Sequence, residues 1–158
     1  MKLLKISKED NKGFSIIEIV VVLGIISLLL VAGLFISADS FESYYFISEE
    51  KLVSSLLRTA RSRAVNNLSG TSHGLFIGES EFVLFQGESF DYKSSTNEPF
   101  LRNKAVEISS DFEDEDRQSF VIFQNLTGRL ISNEGTIYLT ALRHSSTVEI
   151  ESEGRINW

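Results

Sequence analysis

Residues 12–36 read KGFSIIEIVVVLGIISLLLVAGLFI, and this stretch decides the architecture of the chain. From Phe14 to Ile36 it holds 23 residues with one charged side chain, Glu18. A helix rises about 1.5 Å per residue, so such a stretch forms a helix about 34 Å long. Because the hydrocarbon core of a bilayer is about 30 Å thick, this helix is long enough to span a membrane.

The segment before the apolar stretch is short and mostly basic. It contains Lys2, Lys5, Lys8 and Lys12 against Glu9 and Asp10. By the positive-inside rule, the basic side stays in the cytoplasm and the rest of the chain is exported. A secretory signal peptide cut near Ala38 is an alternative, but its apolar part is usually shorter than this one.

The residues at the start of the apolar stretch form an ordered pattern. Lys12 ends the basic leader, Gly13 precedes Phe14, and Glu18 follows inside the apolar run. This pattern resembles the class III signal of type IV prepilins and type II secretion pseudopilins. The resemblance implies that a prepilin peptidase cuts after Gly13 and that the new amine on Phe14 is N-methylated. It also implies that Glu18 sets the register of assembly by meeting the N-terminal amine of a neighbouring subunit.

Glu18 is expected to be a carboxylate within the membrane. Insertion of a charge into a bilayer costs a few kcal/mol on insertion scales, so such residues usually have a function. Phe14 and Glu18 are four residues apart and therefore share one helix face. The alternative is that the Glu18 side chain reaches the nearby cytoplasmic interface and has no partner.

Beyond the apolar stretch the chain first reads as an amphipathic helix. Leucine, valine and alanine recur at three- and four-residue spacing, at Leu52, Val53, Leu56, Leu57, Ala60 and Ala64. We expect this helix to end in the cluster Asn66–Gly70, which is rich in helix-ending residues. Together with the apolar stretch it predicts a stem of about 50 residues.

From Thr71 onward the apolar residues follow a period of two, which predicts β-strands. The expected strands are 74–77, 81–85, 105–108, 119–123, 136–142 and 147–151, with short ones at 129–131 and 155–158. We expect a polar loop at Asp91–Pro99 and a turn at Arg143–Ser146. Strands at this spacing predict antiparallel sheets packed on the amphipathic half of the helix, an α+β, pilin-like fold.

This organisation predicts three parts of the chain. They are a leader peptide at 1–13, a membrane-spanning assembly helix at 14–38 and a soluble α+β domain at 39–158. Three segments of the soluble part, Leu57–Val65, Phe123–Gly128 and Gly154–Ile156, are similar to the stem helix, the Phe-to-Gly turn and the closing Gly-Arg-Ile stretch of the GspH/FimT group of minor pseudopilins.

The composition limits the chemistry that the chain can perform. It has 158 residues, 22 acidic and 15 basic side chains, a net charge of −7 and no cysteine. The lack of cysteine excludes disulfides, thiolate metal sites and cysteine nucleophiles, and the acidic balance disfavours general nucleic-acid binding. His73 and His144 lie far apart without a catalytic pattern around them. We expect both to be surface or turn residues, and we expect neither enzymatic activity nor a cofactor.

Two clusters of charge could bind ligands. The carboxylates of Asp111, Glu113, Asp114 and Asp116 could hold calcium, although the EF-hand order is absent and an acidic run is more often a solvated loop. Arg58, Arg61 and Arg63 cluster on the helix. In some pilins of the GspH/FimT group, basic residues bind DNA during uptake. Salt bridges to neighbouring acidic side chains are the simpler interpretation here.

These observations favour a structural or assembly subunit, a minor pilin or pseudopilin of a type IV pilus or a type II secretion pseudopilus. Its expected partners are the prepilin peptidase, other subunits in a filament and the inner-membrane assembly platform. It is expected in the inner membrane as a single-pass protein with an exported domain, and later in a periplasmic or extracellular filament. A pilus-associated DNA receptor for natural transformation and a plain membrane-anchored domain are the alternatives.

Overall fold

The computed structural model describes residues 13–112, 119–131 and 134–158, and for residues 34–42 it describes the backbone alone. Helix α1 (Ile16–Val65) comes first and is followed by a short 3-10 helix (Leu68–Gly70). The helix therefore ends next to the cluster Asn66–Gly70, as its sequence predicts. The chain forms two compact units, Met1–Ser40 and Phe41–Trp158.

The second unit contains two four-stranded sheets in which every described strand pair is antiparallel. The strands are β1 (His73–Ile77), β2 (Glu81–Gln86), β3 (Glu98–Leu101), β4 (Glu107–Ser110), β5 (Ser119–Phe123), β6 (Gly135–Ala141), β7 (His144–Ile150) and β8 (Ile156–Asn157). The first sheet has the order β3-β2-β1-β5, and the second has the order β4-β6-β7-β8. The predicted α+β class is confirmed.

The main core of this unit lies between α1 and both sheets. The helix contributes one face of side chains, namely Phe46, Val53, Leu56, Leu57, Ala60 and Ala64. The first sheet contributes alternate residues such as Leu75 and Phe82, and the second contributes residues such as Ile137 and Val148. Full burial of one such Leu, Ile, Val or Phe side chain contributes about 1.5–3 kcal/mol. The amphipathic face that the sequence indicates is therefore the face that holds the sheets.

A second, smaller cluster covers the outer face of the first sheet. Phe76 and Phe85 point to that face, and Phe90 from the β2–β3 connection packs on both of them. The Phe76 and Phe90 rings stack with centroids 4.1 Å apart, and the Tyr92 ring meets the Phe90 ring edge-on at 4.6 Å. Phe90, just before the predicted polar loop, and Tyr92 within it thus cover the outer face of the first sheet with aromatic rings.

The sequence prediction is wrong about the ends of this loop. Strand β3 includes Glu98 and Pro99, which pair with Leu84 and Val83. The loop therefore ends at Asn97. A proline cannot donate a hydrogen bond to a sheet, and β3 tolerates it because this strand lies at the edge of the first sheet.

The turn between β6 and β7 is also shorter than the sequence suggests. The strands pair from Gly135 with Ile150 to Ala141 with His144, which leaves the two-residue turn Leu142–Arg143. Serine is common in turns, but here the continuous antiparallel ladder places Ser145 and Ser146 within β7. Other strand ends differ by a residue or two, and the expected strand at 129–131 is reduced to a single bridge between Leu130 and Phe123.

Candidate functional site

The start of helix α1 carries the residues of the sequence motif. Gly13, Phe14 and Ser15 precede the helix, and the Ser15 carbonyl accepts the first helical hydrogen bond, from the Ile19 N–H at 3.2 Å. Phe14 is 79% exposed. Among the described residues, no atom lies within 4 Å of a Cβ atom built at Gly13. The backbone around the Gly13–Phe14 bond is therefore open to an approaching enzyme.

Glu18 is the third residue of α1 and lies in its first turn. A negative charge there is stabilised by the helix dipole, typically by about 0.3–1 kcal/mol at exposed sites. Ser15 and Glu18 also have the Ser-x-x-Glu spacing of a capping box, in which each residue binds a free backbone N–H of the other. Ser15 is not among the site residues predicted from the sequence, although its spacing to Glu18 is a recognisable signal. A carboxylate at this position therefore suits the start of a helix, apart from any role in assembly.

Phe14 and Glu18 lie on the same side of the helix start. Both line a shallow depression together with Ile19, Val22 and Leu23. The structure therefore places Phe14 and Glu18 on one helix face, as their spacing of four residues predicts. The depression combines an apolar floor with one carboxylate, which suits an apolar partner helix that carries a single positive group.

The rest of the apolar stretch has no cover within the described chain. Residues Ile16–Gly33 have a mean hydropathy of 2.8 and none of them is buried. Exposed apolar patches larger than a few hundred Å² are rare in soluble monomers. This helix is long and apolar enough to cross a membrane, and it lies near the N-terminus.

Comparison with known proteins supports this interpretation of the N-terminal stretch. Residues 10–34 match the family described as the prokaryotic N-terminal methylation motif. No curated protein matches the sequence significantly. Among solved structures, the type IV minor pilin FimU of Pseudomonas aeruginosa (strain PAO1) is similar with a TM-score of 0.56 at 14% identity. The similarity covers 73% of this chain and 89% of FimU.

The chain thus combines an N-terminal stretch that matches the methylation motif with a fold similar to that of a type IV minor pilin. The family match concerns the N-terminal stretch, and the similarity to FimU concerns the α+β fold that follows it. The predicted N-terminal motif and the predicted α+β, pilin-like fold are thus confirmed.

The two C-terminal segments that resemble the GspH/FimT group meet at one point on the helix. Arg61 Nε lies 3.4 Å from the carbonyl oxygen of Gly128, and Arg61 Nη2 lies 3.4 Å from that of Glu153. Gly154 has a φ of +78°, and a Cβ atom there would lie 1.9 Å from the Gly128 oxygen. The Phe-to-Gly turn and the closing stretch therefore pack on each other and on Arg61, and this close packing requires a glycine at position 154.

The three arginines singled out from the sequence have three different environments. Arg63 forms a bidentate pair with Glu98 at 2.8 and 2.9 Å, and hydrogen bonding in this pair raises the pKa of Arg63 and lowers that of Glu98. The Arg58 guanidinium lies 4.0 Å from the centre of the Trp158 ring. The expected salt bridge is confirmed for Arg63, whereas Arg58 and Arg61 are held by a ring and by backbone carbonyls.

The candidate calcium residues are only partly described. Asp111 Oδ2 accepts hydrogen bonds from the Thr136 N–H at 3.1 Å and the Tyr138 hydroxyl at 3.3 Å, so this carboxylate ties β4 to β6. Glu113, Asp114 and Asp116 lie outside the described residues. Within the described part of the chain, no group of three or more His, Cys, Asp or Glu side chains could hold a metal ion.

The prediction for the histidines is wrong for His73. It is buried in β1, and its Nε2 lies 2.9 Å from the Leu68 carbonyl oxygen, because the 3-10 helix folds over this end of the strand. His144 is half-buried beside the β6–β7 turn. Its Nε2 lies 3.0 Å from Ser43 Oγ, and its ring stacks on that of Phe46.

Proposed function

We propose that this chain is a minor pilin or pseudopilin precursor that is cut after Gly13 and then enters a filament. The observation that carries the proposal is the register of Gly13, Phe14 and Glu18 at the start of an uncovered apolar helix, within a stretch that matches the prokaryotic N-terminal methylation motif. The similarity to a type IV minor pilin favours a pilus over a secretion pseudopilus.

The proposed processing divides the chain into three parts. Residues 1–13 are the leader, residues 14–38 form the membrane and assembly helix, and residues 39–158 form the exported domain. Prepilin peptidase removes the leader and the amine of Phe14 is methylated. The subunit waits in the inner membrane until the assembly platform moves it into a periplasmic or extracellular filament with other subunits.

Glu18 supplies the register of assembly in this proposal. When apolar helices pack together, water is excluded around them, and an unpaired carboxylate becomes costly. A neighbouring N-terminal amine forms a charge-assisted contact with it. Removal of one partner of a buried pair costs about 3–5 kcal/mol, because the other charge is left alone. Since each 1.4 kcal/mol is tenfold, filament entry should fall on the order of 100-fold or more.

Two variants of Glu18 separate this role from helix capping. Glu18→Gln keeps the capping box, in which Gln can replace Glu, but it removes the charge. Glu18→Val removes both. The measurement is the ratio of the subunit in the sheared filament fraction to that in the membrane fraction, with the wild-type chain alongside.

We expect both variants to be cut after Gly13 and to be depleted from filaments. If Glu18→Gln entered filaments as well as the wild type did, the charge pair would be refuted and capping would explain Glu18. Recovery of the wild-type subunit with secretion machinery instead of pili would assign the chain to a pseudopilus.

A DNA receptor is the second candidate, and one groove favours it. Arg58, Arg61 and Arg155 line this groove together with Ser62 and Asn66. Phosphate binding there would release counterions and would therefore weaken steeply with salt. Arg61 supports the fold, so the test variants are Arg58→Ala and Arg155→Ala in residues 39–158, with Arg63→Ala as the control. Equal and salt-insensitive DNA retention by all of these proteins would exclude the receptor.

A further inference from the structure

The turn between β6 and β7 presents a bare apolar side chain. Leu142 is 94% exposed, more than any other large apolar side chain in the described part of the chain. The turn is only two residues long, so Leu142 stands at the very tip of the hairpin. A lone exposed leucine is ordinary, and its surroundings decide whether it is part of a larger surface.

The hairpin tip is fixed against the part of α1 that begins the second unit. The His144 ring stacks on the Phe46 ring with centroids 5.4 Å apart, and His144 Nε2 lies 3.0 Å from Ser43 Oγ. Two residues further along β7, the Ser146 hydroxyl donates a hydrogen bond to Glu50. These contacts hold Leu142 next to the residues that follow the apolar stretch along the chain.

Besides the side chains that pack on the sheets, that part of α1 carries large side chains that are exposed. Tyr44 is 68% exposed, and Tyr45 and Ile47 are exposed as well. The Tyr44 and Tyr45 rings meet edge-on with centroids 6.2 Å apart. Tyr44 and Ile47, three residues apart on one helix face, and Leu142 are named here the tyrosine–leucine patch. Tyrosine is enriched where proteins meet the interface between lipid and water, because its ring is apolar and its hydroxyl is polar.

The chain itself keeps the tyrosine–leucine patch close to a membrane. The apolar stretch ends at Ile36, and Tyr44 follows eight residues later. Even a fully extended chain spans at most about 3.6 Å per residue, so Tyr44 stays within about 30 Å of the membrane segment. A tethered surface meets its target at a high effective concentration, so that a few apolar contacts are enough for docking.

We propose that the tyrosine–leucine patch docks into the headgroup region of the leaflet from which the exported domain emerges. The proposal rests on the anchoring of residues 14–38 in a membrane and adds a second, reversible contact with the same membrane. Because the three side chains are apolar or aromatic, docking depends on burial of apolar surface and not on lipid charge. Docking orients the second unit on the membrane before the subunit is withdrawn into a filament.

A second copy of the chain, or another subunit, is the competing occupant of the patch. The membrane is favoured because the tether brings lipid to the patch of every single anchored chain, whereas a partner subunit must first be met. The two occupants respond differently to dilution, since docking to the chain's own membrane does not depend on the number of neighbouring chains.

Site-specific labels can test the docking in the full chain. The sequence has no cysteine, so one introduced cysteine is the single labelling position. Leu142→Cys carries an environment-sensitive fluorophore, and Leu126→Cys, 65% exposed in the turn beside the end of α1, is the matched control. Leu28→Cys reports insertion of the apolar helix. Each variant is reconstituted at one chain per phosphatidylcholine nanodisc.

We expect a blue-shifted emission at Leu142→Cys relative to Leu126→Cys, unchanged in high salt and lost when Tyr44→Ser and Ile47→Ser are added. Equal emission at both sites, with a lipid-like signal at Leu28→Cys, would overturn the docking alone. A water-like signal at Leu28→Cys would overturn the membrane anchor together with the docking. A blue shift that needs several chains per nanodisc would assign the patch to a neighbouring subunit and overturn the proposal.

Discussion

Replacement of Arg102 by methionine removes the cation from an ion pair inside the second unit. Arg102 Nε lies 3.7 Å from Glu49 Oε1, and both side chains are buried. The Arg102 guanidinium also donates hydrogen bonds to the carbonyl oxygens of Gly78 and Val106. Glu49 receives a second contact from the Asn103 N–H, 3.3 Å from each carboxylate oxygen. Arg102 therefore joins the β1–β2 turn and the β3–β4 connection to helix α1.

The expected loss of stability is large, because Glu49 stays buried in the variant. Removal of one partner from a buried pair costs about 3–5 kcal/mol. A domain of this size unfolds with a free energy of about 5–15 kcal/mol. With a urea m-value of about 2 kcal/mol/M, the unfolding midpoint should fall by about 2 M. The double variant Glu49→Gln, Arg102→Met should recover most of this loss, since a buried pair is often no better than neutral groups.

The loss should also depend on pH, through Glu49. Burial raises the pKa of Glu49 above its ordinary value of 4.5, against the opposing effects of Asn103 and Arg102. When the pKa of a group is higher in the folded protein than in the unfolded chain, its contribution to stability is fully present below the unfolded pKa. That contribution is lost as the pH rises through the folded pKa. Without Arg102 the pKa of Glu49 rises further. The gap between wild type and Arg102→Met should therefore be wider at neutral pH than at a pH near 4.

Urea unfolding of residues 39–158 measures these differences. Arg63→Ala is the control, because its pair with Glu98 is partly exposed and such pairs contribute about 0.2–1 kcal/mol. The reasoning would be refuted if Arg102→Met cost no more than Arg63→Ala, or if the double variant were as unstable as the single one.

Three further predictions concern folding and processing. Residues 39–158 should fold without the apolar stretch and melt cooperatively by circular dichroism, whereas a gradual melt would contradict the domain boundary. Gly154→Ala should lower the unfolding free energy by more than Gly70→Ala. Both glycines have a positive φ, which costs a substituted residue about 1–2 kcal/mol, but of the two only Gly154 has close neighbours for the added Cβ atom. Equal losses in urea unfolding would disprove this. Gly13→Asp should leave the leader attached on immunoblots of the membrane fraction, and normal shortening would argue against cleavage there.

Features that depend on neighbouring residues in the sequence were predicted well. The apolar run, the helix face from Leu52 to Ala64 and strand β5 at Ser119–Phe123 all follow from local period and composition. The candidate site could be proposed from the sequence for the same reason, since Gly13, Phe14 and Glu18 lie within six residues.

Features that depend on distant parts of the chain were missed. Glu49 lies on the helix face that packs on the sheets, and nothing near it in sequence shows that Arg102 and Asn103 will reach it. Phe90 directly precedes the loop predicted at Asp91–Pro99, and its ring stacks on that of Phe76 on the outer sheet face. The burial of His73 likewise depends on where the 3-10 helix folds. The surroundings of these residues depend on tertiary packing, which the local sequence pattern does not show.

The central claim is that a pilin-like precursor is cut at one bond, between Gly13 and Phe14. Intact-mass analysis of the membrane form, with fragmentation of its N-terminal peptide, tests this claim most directly. The proposal predicts a chain that begins at Phe14 and carries one methyl group on its α-amine. A mature chain that begins at Met1, or after Ala38, would contradict it.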